Sequence, residues 1–560
     1  MPEYQQKAFL GDRKMPISLL VSGISLSPDD PADRAIEEAK NRLRRVGLPT
    51  QKATASIYKR SVDARVRGGS RTVKLVYSVM VTLPDVLSLK ERQRAQLEQA
   101  SIRIAENVGE PTVEYGAEEM SGRPLIVGMG PAGLFCALLL AEHGYRPIII
   151  DRGDDVRRRV AVNEHFMQTG ELDTESNVQF GAGGAGTFSD GKLITRINDP
   201  HCQYVLRRFV DCGAPQEIMT DARPHIGTDL LVGVVEQLLA RITELGGEVR
   251  YRTRLDGITS AGSEKELIAK TTEGDIPCGA LVLALGHSAR DTNRMLISLG
   301  LPVTPKPFSV GVRVEHLQKD IDRALYGDYA GHPAIGCGEY NLSDTKGDRG
   351  VYTFCMCPGG SVIAAASEEG GVVVNGMSHH ARDGANAVAA VAVSVFAEDY
   401  GNTPEGGMAF QRALEEKAFV MGGGDYAAPM QLLGDFMAGT LGREIGKIQP
   451  TYTRGRVTPA RLDTLFPEPI TAALKRGFSS FGRKLPGYDD PSAILTGVES
   501  RTSSPVRILR SQESLTTVGF PLIYPIGEGA GYAGGITSAA VDGIRVALCI
   551  MARFSNKIPL

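Results

Sequence analysis

Gly128, Gly130 and Gly133 stand in a G-x-G-x-x-G spacing, directly after the apolar run Pro124–Val127 and directly before a helix-forming run, Leu134–Glu142, stopped by Gly144. No other feature constrains the chain as tightly. A second apolar run, Arg146–Ile150, ends in Asp151, 18 residues beyond Gly133. Strand, glycine turn, helix, strand and acid in that order make a βαβ unit suited to a dinucleotide. Gly128 makes the tight turn, Gly130 admits the pyrophosphate to the backbone, and Gly133 lets helix and strand pack closely. The helix start, with Pro131 and Ala132, offers N–H groups and a positive dipole end to the phosphates. Asp151, followed by Arg152, is placed to accept hydrogen bonds from ribose hydroxyls.

Segments far along the chain decide which dinucleotide. Residues 181–192 formally contain a second G-x-G-x-x-G, but no buried strand precedes it and the polar Thr187-Phe188-Ser189-Asp190-Gly191-Lys192 follows. That composition predicts a backbone loop against a flat ring, with Gly183, Gly184 and Gly191 giving the approach and Thr187, Ser189 and Lys192 the polar contacts. Glu248–Leu255 reads as a strand after Gly246–Gly247, and similarity to glutathione-reductase-like flavoproteins implies that it sits beside the adenine with Val249 as the backbone contact. Ala280–Leu285 reads as a buried strand whose turn, Leu285-Gly286-His287, is comparable to the adenosine-side turn of FAD enzymes. Leu522–Ile526 feeds a stretch that resembles their C-terminal motif, in which an acid after glycine bonds the ribityl hydroxyls. Here the acid is Glu528 after Gly527, where many relatives use Asp. The helix entered at Gly534, Gly535 and Ile536 would face the flavin pyrimidine edge. Three stretches, 128–133, 181–191 and 527–543, hold 14 of the 65 glycines. Part of the glycine richness is thereby tied to backbone approach to a cofactor and not to low-complexity sequence.

No further strand–G-x-G-x-x-G–helix unit occurs between residues 290 and 520, which leaves NAD(P)H at most a transient role as electron donor or acceptor. Cys136 stands alone where a disulfide reductase carries CxxxxC. Residues 295–514 read instead as an inserted α+β substrate or cap domain between two FAD-binding parts, 117–294 and 515–560. Cys355 and Cys357 lie in a strand-like run, where i and i+2 share a face. They are candidates for nucleophile, redox relay or substrate contact, against the commoner fate of buried structural cysteine. In His379-His380-Ala381-Arg382 a histidine is a candidate proton carrier and Arg382 a carboxylate clamp, against a merely solvated loop. His225, ahead of a helix pattern with Thr228 or Asp229 as N-cap, is a further acid/base candidate. Two thiols do not complete a metal site, so none is expected.

Residues 1–116 read as a separate βαββαβ domain of ferredoxin-like, split βαβ order. Its runs are Ile17–Leu26, a helix through Arg45, Ala53–Val66, Thr72–Leu83 beyond Gly68–Gly69, a helix over Leu87–Asn107, and Thr112–Tyr115. Residues 1–90 carry 16 Lys+Arg against 9 Asp+Glu in a chain of net charge −3. Lys59, Arg60, Arg65 and Arg67 fit a solvated sheet face. Neither RNP-type aromatics nor a KH-type GxxG accompanies them, so nucleic acid is not the expected partner. No apolar run approaches the roughly 18 residues of a spanning helix, and the nearest, Ala387–Phe396, reads as a buried element. The charged N-terminal residues lack a leader's cleavage pattern. Eight cysteines without CxxC fit a reducing cytoplasm. Nothing in the pattern speaks to oligomeric state.

The phrases KRSVDAR, GAGGAGTFSDGKL, PHIGTD, FCMCPGG, NGMSHHARDG and GEGAGYAGG resemble those of bacterial FAD-dependent dehydrogenases (NAD(P)/FAD-dependent oxidoreductases) with a ferredoxin-like domain ahead of the flavin fold. That group is distantly related to fumarate reductase and aromatic-hydroxylase flavoproteins. The resemblance implies an α/β, Rossmann-like FAD-binding domain of glutathione-reductase type with an inserted cap. It implies FAD and hydride exchange with a small organic substrate, and names no substrate. A flavin monooxygenase is one alternative. A flavin redox sensor whose basic N-terminal domain holds a partner or RNA is another.

Overall fold

The computed structural model describes residues 16–67, 70–84, 91–105, 109–262 and 265–556. The expected turn at Gly68–Gly69 and the start of the expected Leu87–Asn107 helix lie outside them. The chain divides into two compact units. The first joins Met1–Gly109 with two later segments, Gln216–Pro224 and Tyr326–Gly336, and the second holds the rest.

In the first unit, Lys74–Leu83 alternates buried and half-buried positions, as a strand with one covered face must. It lies between Thr54–Asp63 and Ile17–Leu26, and Ile102–Ile104 completes an antiparallel four-stranded sheet. Helix Asp33–Arg45 buries Ala35, Ala39 and Leu43, an i, i+4, i+8 stripe. The strand order is that of a split βαβ unit. The closing strand is not the expected Thr112–Tyr115. Ser101 takes a left-handed φ of 58° after helix Glu91–Gln99, and the chain turns at once into Ile102–Ile104, with Ile102 buried. Residues 216–224 bind to the same unit through Arg60, whose N–H donates to the Thr220 carbonyl at 2.8 Å and whose carbonyl accepts from Ala222 N–H at 2.8 Å.

The second unit is built on a five-stranded parallel sheet, in the order Ile523–Pro525, Ala280–Leu283, Pro124–Val127, Ile148–Ile150, Glu248–Arg250. The first four strands are buried along their length, as continuous apolar runs in a parallel sheet must be. Helices Pro131–Glu142 and Ile536–Arg553 leave the carboxyl ends of two of these strands. They cross so closely that a Cβ on Gly543 would meet the Ala132 carbonyl oxygen. Open α/β sheets bind ligands at that edge.

Residues 307–502 supply a mainly antiparallel seven-stranded sheet. At its centre Phe308–Leu317 and Asn386–Val395 pair over ten residues and are buried nearly throughout, the latter covering the small-residue stretch expected to be buried. Helices Pro404–Gly422 and Glu468–Lys484 accompany the sheet. Arg290, first residue of the helix Arg290–Ser298 that follows strand Ala280–Leu283, is 1% exposed and pairs with Glu415 of the inserted region, which Arg501 also holds at 2.9 Å. No helix among the described residues is long and apolar enough to cross a membrane.

Candidate cofactor groove and adjoining site

Four glycine-bearing segments, distant in sequence, converge at the carboxyl edge of the parallel sheet. Gly128 has a φ of 108°, and a Cβ there would lie 2.9 Å from the Ala284 carbonyl carbon. Gly184 lies against Gly130, Gly529 against Gly286, and Gly186 against Ile536. Other glycines here look into open space. The nearest atom to a Cβ on Gly130 would be Gly184 Cα at 3.9 Å, on Gly534 Glu528 Oε1 at 3.9 Å and on Gly535 Ser538 Oγ at 3.9 Å, with nothing within 4 Å at Gly286. Helices Pro131–Glu142 and Ile536–Arg553 begin here behind Gly130 and Gly535, without side-chain caps, so their first N–H groups face an anion-favouring end. A cradle of open backbone, helix ends and one acid fits a pyrophosphate-containing dinucleotide.

The other expected cofactor residues have particular duties within the protein. Asp151 is buried, and its carboxylate accepts from Met129 N–H and Gly153 N–H, each at 2.9 Å, so it pins the glycine turn itself. Arg152 is clamped by Glu175 and Asp291 and stacks 4.4 Å from the Phe180 ring centroid. Val249 sits mid-strand at an edge of the sheet, and Leu285-Gly286 forms the turn beyond Ala280–Leu283. Glu528 is half-buried beside the Gly527 turn, and burial pushes its carboxyl up to about 7 against the pull of Lys306. In the 181–192 loop, Ala185–Phe188 is a 3-10 turn with no strand ahead of it, not a second βα unit. Ser189 Oγ donates to the Gly186 carbonyl at 2.6 Å. Gly183 lies directly over Thr187 Oγ1, which is buried beside a cavity of about 20 Å³.

The loop leads directly into the candidate catalytic groups. Lys192 pairs with Asp190 at 2.8 Å and Glu339 at 3.2 Å. Arg382 binds the same two carboxylates, each at 2.5 Å. Two cations and two anions thus share one largely buried cluster, and the carboxylate that Arg382 clamps is the protein's own. Lys192 bridges to His225, Gly191 packs on Ile226 and Gly227, and Gly227 on the His380 backbone. The rings of His225 and His380 stack with centroids 5.2 Å apart. His225 Nε2 donates to the His380 carbonyl at 3.0 Å, and His380 Nδ1 donates to the Ile226 carbonyl at 3.0 Å. A carbonyl only accepts, so neutral His225 carries its proton on Nε2 and leaves Nδ1 as its acceptor nitrogen. Burial, then the Arg382 charge, lowers its pKa and keeps it neutral. Gly227, not a side chain, caps the helix Thr228–Glu244, and Asp229 Oδ1 instead accepts from His380 N–H at 2.8 Å. His379 is exposed.

Cys355 and Cys357 stand close, Sγ to Sγ 4.0 Å, through a departure from strand geometry. The ladder pairs Phe354 with Ala390 and Cys357 with Val388, which leaves one extra residue on the cysteine strand, and Cys355 has a φ of 43°. Such a bulge re-aims side chains. Buried Arg313 holds it in place, donating from Nη1 to the Cys355 carbonyl at 2.9 Å, from Nη2 to Asn375 at 2.5 Å and from Nε to Glu499 at 2.5 Å. Gly359 and Gly384 press against one another, and Gly359 also against the Arg382 carbonyl, joining the thiol strand to the His–Arg segment.

Sequence reasoning missed two organising residues. Arg313 interrupts an apolar strand, and a charge at a position buried on both sides, followed by Glu315 two residues on, was the available signal. Arg159 is fully buried and donates to the carbonyls of Asn177, Val178, Ala182 and Gly184 at 2.7–2.8 Å, which shapes the glycine loop. It sits on helix Val156–Thr169, whose pattern marked it only as one of three successive arginines.

Comparison with known proteins places these features in context. The family described as FAD-dependent protein, C-terminal domain-like, matches residues 307–502. An uncharacterized protein of Clostridium beijerinckii is 45% identical over 545 residues, covering 96% of this chain and 99% of that one. Among solved structures, a variant of the halogenase PltM in complex with FAD is 11% identical with a TM-score of 0.36, over 77% of this chain and 70% of that one. CtdE in complex with FAD is 11% identical with a TM-score of 0.31, over 77% and 84%. NikD, an amino acid oxidase, is 11% identical with a TM-score of 0.31, over 77% and 94%.

Proposed function

The chain belongs to one family with the Clostridium beijerinckii protein and carries the FAD-dependent C-terminal domain match, and on that premise we propose that it is an FAD-dependent oxidoreductase acting on a small organic molecule. The observation that carries this reading is the convergence of Gly130, Gly286, Gly534 and Gly535 around open space at two uncapped helix starts. Bound FAD would supply two-electron chemistry by taking or giving a hydride at flavin N5.

The protein's own groups would bind, orient and move the proton. N–H groups of the Pro131–Glu142 helix start face the pyrophosphate, with Asp151 holding the turn that aims them. Glu528 and the Gly534–Ile536 helix start serve the ribityl chain and ring. His225 Nδ1 is the base that accepts the substrate's proton as the hydride leaves, and the His380 carbonyl on Nε2 fixes the ring. The Asp190–Lys192–Glu339–Arg382 cluster holds the loop and the His380 segment in register. NAD(P)H, if used, acts as a transient donor or acceptor, since no second βαβ dinucleotide unit occurs among the described residues. Purification followed by reconstitution with FAD tests the reading. A visible flavin spectrum that persists through desalting, with a raised Tm, is expected. No retained flavin and no Tm change would overturn it.

A further inference from the structure

We propose that Cys355 and Cys357 form a redox-active dithiol–disulfide pair that exchanges two electrons with the flavin of the same site. The inference rests on the FAD reading above and adds a second electron store to it.

Geometry carries the argument. Residues two apart in a regular strand are separated by about 6.6 Å along the chain, whereas the bulge brings these two sulfurs to 4.0 Å. The backbone that does so sits in the left-handed region at a non-glycine residue, a strained conformation that recurs at functional sites. It is secured by Arg313, which donates to the Cys355 carbonyl at 2.9 Å and so leaves the single Cys357 S–H proton for Cys355 Sγ. Arg313 is itself fully buried and paired with Glu499.

The two sulfurs are unequal in the way thiol exchange requires. Cys355 is half-buried and reachable, while Cys357 is fully buried. The hydrogen bond from Cys357, then the charges of Arg313 and Lys192, hold the Cys355 thiol below its ordinary pKa, and Cys357 is raised in turn. Cys355 is therefore the thiolate and Cys357 the thiol that closes on it. The pair also adjoins the 181–192 loop: a Cβ on Gly376 would lie 3.0 Å from Cys357 Sγ, and Ser378, two residues on, donates its hydroxyl proton to Asp190 of that loop.

In the oxidising direction the Cys357 S–H bond breaks and one S–S bond forms between Cys357 and the Cys355 thiolate sulfur; the two electrons and one proton released would be taken up by bound oxidised flavin, so that one negative charge moves from sulfur to the flavin. The reverse step returns the electron pair and proton, and restores thiolate and thiol. Atoms, charge and electrons balance with no other reactant.

An anaerobic reductive titration of the flavin-loaded protein, after mild oxidation and desalting, tests this. Four electrons per flavin are expected for the wild type, and two for both Cys355→Ser and Cys357→Ser, with Cys549→Ser unchanged at four. Alkylation followed by mass spectrometry should show two adducts on the 355–357 peptide only after reduction. Two electrons in the wild type, with both thiols alkylated before reduction, would overturn the proposal while leaving the FAD reading intact. A protein that retains no flavin fails at the first spectrum, and that outcome overturns the FAD reading and the electron exchange together. Should one serine variant misfold, the other and the wild-type alkylation pattern still decide.

Discussion

Alanine at Gly130 should separate binding from folding. Gly130 has φ −74° and ψ 178°, a conformation any residue adopts. Its added Cβ would touch nothing nearer than Gly184 Cα at 3.9 Å. Without cofactor the variant should be as stable as the wild type, or more stable by about 0.4–1 kcal/mol through the unfolded chain. With cofactor, the same methyl group occupies the space into which the pyrophosphate must come. Overpacking costs about 1–3 kcal/mol, which is roughly a 5- to 150-fold loss of affinity. Gly128→Ala should do the reverse. It forces a side chain to φ 108° and against the Ala284 carbonyl, costing about 1–2 kcal/mol in backbone conformation alone before the clash is relieved. Urea unfolding of the cofactor-free proteins, followed by circular dichroism because the chain has no tryptophan, gives the stabilities. Flavin fluorescence titration gives the affinities. A Gly130→Ala protein that binds FAD like the wild type refutes the assignment of the groove. One that loses more than about 1 kcal/mol without cofactor refutes the claim that the space is open.

Other outcomes follow from the buried charges. Glu415→Gln leaves Arg290 and Arg501 without their shared partner and should cost about 3–5 kcal/mol, read from the urea midpoint; a loss under about 1 kcal/mol would contradict the role assigned to it. Burial works to raise the Glu415 carboxyl, but Arg501 and Arg290 outweigh it and hold the group at about 2 instead of 4.5. Burial and the Arg501 charge hold His287 at about 4 instead of 6.5. In both cases the unfolded chain binds more protons within the window, so stability is complete above the unfolded value and falls as pH drops, first through His287 and then by about 3 kcal/mol through Glu415. Measured in a Glu528→Gln background, urea midpoints that stay level from pH 7 to pH 3 would contradict both shifts. Glu528 has the opposite sign, because its carboxyl is raised from 4.5 to about 7. The unfolded chain loses this proton first, so Glu528→Gln should gain Tm relative to the wild type at pH 8 and not at pH 5. Arg159→Met should weaken FAD binding and speed hydrogen exchange over residues 177–184; unchanged exchange there would remove its loop-shaping role.

Much of the dinucleotide unit was legible because its glycines answer steric demands that exist within a few residues. Gly133 must be glycine because the turn carbonyl of Gly128 lies where its Cβ would go. The parallel strands were equally plain, since burial on both faces forces unbroken apolar runs. Features set by distant partners were not. The Cys355 bulge exists because Arg313, 42 residues earlier, holds its carbonyl, and no local pattern announces that. Arg382 reads as a ligand clamp until Asp190, 192 residues earlier, is seen to fill it. The Ile102–Ile104 strand is three residues long, too short for its alternation to compete with the helix pattern running into it.

The first unit has a consequence in time as well as space. It includes Gln216–Pro224 and Tyr326–Gly336 besides Met1–Gly109, so a ribosome has not supplied all its parts when its sheet emerges. At about 5–20 residues per second, the last segment follows the first by roughly 10–40 s. Through that interval the Arg60 edge of the Thr54–Asp63 strand waits for Thr220 and Ala222, and an unpaired edge is open to other chains. The strand's two basic residues, Lys59 and Arg60, put like charges along it, and charged side chains on an edge disfavour pairing with a second copy.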